Sequence, residues 1–337
     1  MSRLVVPAEF AVPDIITELS PLDSMFDGRS DHYLGVGISA LNVINTALEG
    51  SDPKTILDLP CGFGRVTRML RARFPGAHIT ACDLDRDAVD FTTATFGAKP
   101  VYSVPDFQNL NLGEKFDLIW VGSLLTHMPE HLTRTFLDFA ARHMRAGSRL
   151  IVTTHGEFVA ERLRTTTYGL TEAAARGLYG QYLTSGYGYR GYDGNVSYGI
   201  SLSARAWFET LLANSNLRLQ SYHERGWDQH QDVLVLRPAK ASRNAFWRKP
   251  SQQLFAQENC APPLPDAEQA RQDAETVPGF DEQWYCETNP DVKAAKNSGV
   301  LPSGLFHYCA YGWKEGRDPF NPQRNYMHRP VPVPSGG

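Results

Sequence analysis

Between residues 36 and 237, short apolar runs alternate with stretches whose apolar positions recur at helical spacing, a pattern that predicts a parallel sheet flanked by helices. Residues 54–59 form the first run, Val66, Met69, Leu70 and Phe74 then share a helical face, and residues 78–82 give a second strand. On that helix Arg65, Arg68, Arg71 and Arg73 are expected mostly on the outer, solvated face. Further strands are expected at 101–104, 116–122 and 148–154, with a helix at 131–144 ended by a turn at Gly147. Residues 217–224 and 232–237 read as two strands joined by Gly226-Trp227-Asp228-Gln229-His230, so an antiparallel pair closes an α/β sheet.

The same pattern divides the chain. Residues 1–53 are expected as an N-terminal helical segment and 54–237 as the main domain. Within it, the stretch from about 156 to 202 is rich in tyrosine (Tyr168, Tyr179, Tyr182, Tyr187, Tyr189, Tyr192, Tyr198) and glycine (Gly186, Gly188, Gly191, Gly194, Gly199), and is expected as a long loop acting as a lid. Residues 238–277, with Pro262-Pro263-Leu264-Pro265, read as a linker, 278–322 as a small helical module and 323–337 as a Pro-rich tail.

Composition and charge then exclude several classes. A chain of 337 residues fits about two domains, and its 33 basic against 37 acidic residues leave no global basic field for nucleic acid or anionic lipid. Pro7, Glu9, Pro13 and Asp14 interrupt the N-terminal stretch, and no later run reaches the ~18 apolar residues of a membrane span, so a cytoplasmic location is expected. The 5 cysteines, odd in number and without a CxxC pair, are expected as reduced thiols, not as a disulfide framework or zinc site.

The candidate chemistry begins where the first strand meets Asp58-Leu59-Pro60-Cys61-Gly62-Phe63-Gly64-Arg65 and a helix, an arrangement that lets backbone approach a nucleotide. Thr67 stands where the dinucleotide pattern has its third glycine, and Asp58 would repel a pyrophosphate and attract a cation. Asp83, about 20 residues beyond Gly64, has the spacing of a carboxylate that meets ribose hydroxyls. Each residue also has a plainer use: Gly62 and Gly64 in a tight turn, Asp83 as a helix cap, Asp106 as a turn residue.

With Asp83-Leu84-Asp85, Asp106-Phe107, Phe116-Asp117-Leu118-Ile119-Trp120 and Arg145-Ala146-Gly147-Ser148-Arg149-Leu150-Ile151-Val152, the glycine turn resembles, in order and spacing, class I S-adenosylmethionine-dependent methyltransferases. Pro60 departs from the glycine that many members carry there. The resemblance implies a Rossmann-like, seven-stranded, mostly parallel sheet with an antiparallel last strand, and S-adenosylmethionine as cofactor. It further implies that Asp58, Pro60, Gly62 and Gly64 face the methionine moiety, Asp83 takes the ribose, Leu84 packs on adenine, and Asp106, followed by Phe107, accepts from the adenine amino group. Pro60-Cys61 follows the first strand, not the fourth as in cytosine-C5 methyltransferases. After the fourth strand, Gly122-Ser123-Leu124-Leu125-Thr126-His127 lacks the Asn/Asp-Pro-Pro-aromatic segment of enzymes methylating base amines, so DNA is not an expected substrate.

Ligands of open α/β sheets sit at the carboxyl ends of strands, which makes His127 and His155, just past the fourth and fifth strands, candidate general bases for a hydroxyl acceptor. Either equally suits a structural role, and His230 in the last hairpin is a third candidate that suits a structural role better. Asp228, His230 and Asp232 alternate along one strand, which cannot surround an ion, so no metal is expected. The tyrosine and glycine lid suits a sugar or an aromatic metabolite.

In the C-terminal stretch, Gly279-Phe280-Asp281-Glu282-Gln283-Trp284-Tyr285, Asn289-Pro290-Asp291-Val292 and Gly312-Trp313-Lys314-Glu315-Gly316-Arg317-Asp318-Pro319 resemble a short segment that recurs beside bacterial glycosyltransferases and surface-polysaccharide proteins. Asp281 is expected to cap one helix and Asn289 with Pro290 to begin another. The expected activity is therefore O-methylation of a carbohydrate or surface-glycan precursor in polysaccharide biosynthesis, with glycan-assembly proteins as partners. A nicotinamide-dependent oxidoreductase, disfavoured by Asp58 and Thr67, and a non-catalytic cofactor-binding scaffold are the alternatives.

Overall fold

The computed structural model describes residues 2–6, 14–192, 195, 197–239, 277, 280–298, 300–301, 303–313 and 315–319. Most of the expected linker (240–276), the Pro-rich tail, Gly194, Cys260, Gly279 and Lys314 lie outside the described residues. The chain divides after Pro238 into two compact units.

In the first unit, β1 (Ser2–Arg3) and β2 (Glu18–Leu19) pair ahead of α1 (Ser30–Leu48). Strands and helices then alternate through β3 (Thr55–Asp58), α2 (Thr67–Arg73), β4 (His78–Asp83), α3 (Arg86–Phe96), β5 (Lys99–Tyr102), β6 (Phe116–Val121), α4 (Glu130–Arg142) and β7 (Met144–Thr154). After these come α5 (Glu157–Arg162), α6 (Glu172–Ser185), β8 (Tyr187–Gly191), β9 (Gly199–Ser203), α7 (Arg205–Ala213), β10 (Leu217–Trp227) and β11 (Gln231–Pro238).

Seven strands form one sheet in the order β10-β11-β7-β6-β3-β4-β5. The neighbours from β7 to β5 run parallel, while β11 is antiparallel to both β7 and β10. This is the Rossmann-like sheet that the resemblance implies. Alternation along each strand supplies both faces: Leu57, Ile119, Leu150 and Val152 enter one apolar core, and Ile56, Leu118, Trp120 and Ile151 enter the other. The helix expected at 131–144 spans Glu130–Arg142, and Gly147 lies within β7, not at the helix end.

Two expectations are corrected. The stretch from 156 to 202 is not a long loop but two helices and a hairpin, β8–β9. Its glycines mark close packing: a Cβ at Gly177 would lie 2.7 Å from Arg190 Nη2, and one at Gly188 would lie 2.6 Å from the Leu178 carbonyl. The arginines of α2 do not form a solvated face either. Arg68 is fully buried, donating to the carbonyls of Ile16 (2.6 Å) and Glu18 (3.2 Å), with its guanidinium 5.4 Å from the Tyr33 ring centre and 5.1 Å from that of Phe96. Arg71 donates to the Phe96 carbonyl at 2.8 Å, and only Arg73 behaves as expected, pairing with Asp52. The N-terminal segment packs over α2 and turns an outer face into an inner one, which no periodicity within α2 reveals.

The second unit has helices at Glu282–Thr288, Pro290–Asn297 and Gly304–His307, with a π turn at Tyr308–Gly312. Asp281 caps the first helix by accepting from Trp284 N at 3.0 Å. The Asn289 side chain makes no cap bond; its amide donates back to the Tyr285 carbonyl at 2.8 Å. Tyr285, Tyr308 and Trp313 are buried together with His307, whereas Tyr311 is exposed. Among the described residues Cys61, Cys82 and Cys286 are free thiols.

Candidate active site

The turn from β3 into α2 is possible because Gly62 (φ 47°) and Gly64 (φ 81°) adopt the left-handed region that side chains disfavour. Gly64 is also a contact point, since a Cβ there would overlap the Phe96 ring. At Gly62 nothing among the described residues lies within 4 Å of the Cβ position, so the backbone there leaves space that a ligand can occupy. Asp83, at the end of β4, accepts from Gly62 N at 2.8 Å and Asp85 N at 3.1 Å. Burial raises its pKa against the pull of these N–H groups.

Pro60, Cys61, Gly62 and Asp83 line one cleft. Its opposite wall comes from Trp120 and Trp227, packed edge to face at 5.4 Å, and from Gly122 and Ser123; Asp23 and Met25 of the N-terminal segment and Arg65 of the turn complete it. Trp227 Nε1 donates to the Val36 carbonyl at 3.1 Å, which fixes the indole against α1.

The other predicted residues are placed differently. Asp58 is buried beneath the turn and accepts from Thr67 Oγ1 at 2.6 Å, without lining the cleft; burial pushes its pKa up to about 7. Leu84, beside Asp83, is exposed. Asp106 folds onto its own turn, accepting from Gln108 N and Asn109 Nδ2. The Phe107 ring is core, 5.1 Å from Phe136 and 5.5 Å from Phe139, and does not face the cleft.

Past β6 and β7, His127 and His155 come together with ring centres 6.5 Å apart, and His230 lies 5.8 Å from His155. Tyr198 stacks on His127 at 4.9 Å, Tyr192 lies 6.3 Å from it, and Tyr168 lies 6.1 Å from His155. His127 Nδ1 is 2.6 Å from the Gly199 carbonyl of β9. That oxygen can only accept, so Nδ1 carries the proton and Nε2 keeps its lone pair. Burial holds the His127 pKa below its ordinary 6.5, against the opposing carbonyl. His155 is driven down to about 3 by burial and by its two histidine neighbours, and its buried Nδ1 has no hydrogen-bond partner among the described residues. No cluster among the described residues could hold a metal ion.

Residues 56–147, from β3 into β7, match the family model described as a methyltransferase domain. S-adenosylmethionine is the cofactor of such a domain, and the residues present fit it: an open backbone cradle at Gly62 and a carboxylate, Asp83, whose partners within the protein are backbone N–H groups. The chain is 28% identical over 130 residues to the malonyl-[acyl-carrier protein] O-methyltransferase of Bacillus cereus, covering 33% of this chain and 48% of that one. It is 32% identical over 88 residues to the trans-aconitate 2-methyltransferase of Streptomyces avermitilis, covering 25% and 33%. A solved S-adenosylmethionine-dependent methyltransferase of Clostridium acetobutylicum is 14% identical, with 61% and 92% covered and a TM-score of 0.43. The chain spans less than half the length of both curated relatives.

Several residues of the site lie outside the matched methyltransferase segment and carry no motif. Trp227 and Gln231 reach it because β11 is antiparallel: Asp232 pairs with Thr154, so the start of β11 lies at the same sheet end as the finish of β7. The tight connection at 226–230 is the signal that could have placed them there. Asp23 and Met25 sit in an irregular segment that offers none.

Proposed function

We propose that the protein transfers a methyl group from S-adenosylmethionine to a hydroxyl oxygen of a carbohydrate or surface-glycan precursor, with His127 as the base. The observation that carries this reading is the His127 Nδ1 to Gly199 carbonyl bond, which leaves Nε2 as a proton acceptor among aromatic rings. The cofactor supplies an electrophilic methyl group on a sulfonium, so the chain has two tasks: to align the acceptor oxygen and to remove its proton. Asp83 and the Gly62 backbone hold the ribose side of the donor, and the Pro60 turn approaches its methionine side. Leu84 and Asp106, beyond the adjacent strands β4 and β5, take the adenine end.

His127 is neutral at pH 7 and accepts the proton. His155, far weaker as a base, serves as a wall beside His127. Tyr168, Tyr192 and Tyr198 supply rings for the C–H faces of a sugar and hydroxyls for its polar edges. We place the enzyme in the cytoplasm, with the second unit docking it to glycan-assembly proteins. No helix among the described residues is long and apolar enough to cross a membrane.

The test is to incubate cell fractions with labelled methyl donor and identify the labelled product by mass spectrometry. Label in a glycan or sugar fraction that His127→Ala abolishes is the expected result. Label confined to protein, lipid or organic-acid fractions would remove the carbohydrate acceptor.

A further inference from the structure

Two polar groups in the cleft are left unspent by the contacts described so far. Arg65 lines it with its guanidinium 5.4 Å from the Tyr33 ring centre and, among the described residues, makes no hydrogen bond or ion pair. Its neighbours Arg68, Arg71 and Arg73 are all engaged.

The second group is Ser123, just past β6. Its backbone is held at φ 58°, an unfavourable conformation for a residue with a side chain, which a closed set of hydrogen bonds maintains. Ser123 N donates to Thr153 Oγ1 (2.8 Å), Thr153 Oγ1 donates to Gln231 Oε1 (2.6 Å), and Gln231 Nε2 donates to Ser123 Oγ (2.7 Å). Ser123 Oγ is thus an acceptor within the ring, and its own proton has no acceptor among the described residues. Ser123 lines the same cleft as Arg65.

Position then says what these groups meet. Asp83 follows β4 and Ser123 follows β6, with β3 between them, a separation of two strand spacings or about 10 Å. A donor held at Asp83 by its ribose and lying across β3 brings its amino-acid end to Ser123 and Arg65. A guanidinium and a hydroxyl proton together are donors only, which selects a carboxylate. Asp23, lining the same cleft and already accepting from Tyr33 and Met25 N, is the acidic neighbour for the ammonium of that end.

We propose that Arg65 and Ser123 seat the α-carboxylate of the methyl donor, and that Gln231, a positioning residue from outside the matched domain segment, sets the Ser123 hydroxyl. This rests on the S-adenosylmethionine reading.

Calorimetry with S-adenosylhomocysteine and with 5′-methylthioadenosine, which lacks the amino-acid end, tests it. Arg65→Gln is expected to weaken S-adenosylhomocysteine about 10- to 100-fold, and Ser123→Ala about 5- to 10-fold, as for loss of a charge-assisted hydrogen bond, with methylthioadenosine changed less than about twofold. Methylthioadenosine binding also reports that each variant is folded. Gln231→Leu should match Ser123→Ala and add nothing in the Ser123→Ala background, as a residue acting through Ser123 must. Equal losses for both ligands, or additive effects of the Gln231 and Ser123 changes, would overturn the inference while leaving the donor reading intact. If the unaltered protein binds neither ligand, the donor reading falls and the inference with it.

Discussion

Asp232 occupies the place where a side chain at Gly156 would begin: a Cβ there would overlap the Asp232 carboxylate. That carboxylate is buried and accepts from the Tyr222 hydroxyl and from Arg225 N at 2.8 Å, and Gly156 directly follows His155 in the chain.

Gly156→Ala should therefore be costly despite adding one methyl group. Asp232 must shift, losing two hydrogen bonds in a buried place, and we expect about 2–4 kcal/mol of destabilisation in urea unfolding. Gly76→Ala, where the added Cβ meets nothing within 4 Å among the described residues, should change stability by less than about 0.5 kcal/mol. Equal effects would show that the overlap relaxes freely.

His127→Ala should lower kcat by about 100-fold or more while leaving donor affinity unchanged, because a base acts on the acceptor. In the unaltered enzyme the acid limb of the pH profile should lie below 6.5, since burial depresses the His127 pKa and keeps the ring deprotonated to lower pH. An acid limb at or above 6.5 would assign it to another group.

Asp58 should make ligand-free stability fall as pH rises. Its folded pKa of about 7 lies above the ordinary 3.8, so the folded state holds an extra proton between these values. That contribution is complete below about 3.8 and lost by about 7. Asp58→Asn, which keeps an acceptor for Thr67, should gain on the order of 2 kcal/mol relative to the unaltered protein between pH 5 and 8. His155 acts oppositely: its folded pKa of about 3 gives stability that is full above 6.5 and declines as pH falls through that range. A pH-independent Asp58→Asn difference would mean the carboxyl is ionised throughout.

Arg68→Met should loosen the N-terminal segment. It leaves the Ile16 and Glu18 carbonyls without their donor, at a cost of about 1–3 kcal/mol, and exposes residues 14–29 to protease. Donor affinity should fall too, since Asp23 and Met25 belong to that segment. Unchanged proteolysis would show the segment is held by its apolar contacts, Leu19 and Tyr33 among them.

Truncation after Ala239 should leave a folded, donor-binding unit, because the last strand of the sheet ends at Pro238. Loss of donor binding in a soluble truncated protein would place part of the second unit in the catalytic machinery.

The sheet was legible because strands buried on both faces are short apolar runs with turn residues between them, as at Ile56-Leu57 and Leu118-Ile119-Trp120. The glycine turn and Asp83 were legible because their backbone conformation and spacing are chemically demanding. The fold of residues 156–202 was not, since Gly177 and Gly188 serve as packing contacts and a glycine chosen for close approach looks the same in sequence as one chosen for a bend. Arg68, Ser123 and Gln231 were illegible for a related reason: each is defined by partners more than 30 residues away or on another strand, and no local period encodes that.

The strand order also constrains how the chain can reach this state. Within the sheet, β10 hydrogen-bonds to β11 alone, and β11 bridges it to β7. During synthesis β10 emerges first but has nothing to join until β11 follows, so the two must form a hairpin that adds to the sheet in one event. Until then the long β7 edge is bare and open to pairing with other nascent chains, and neither Trp227 nor Gln231 is in position. Ribosome-bound intermediates ending before residue 231 should therefore depend on chaperones far more than those extending past Pro238.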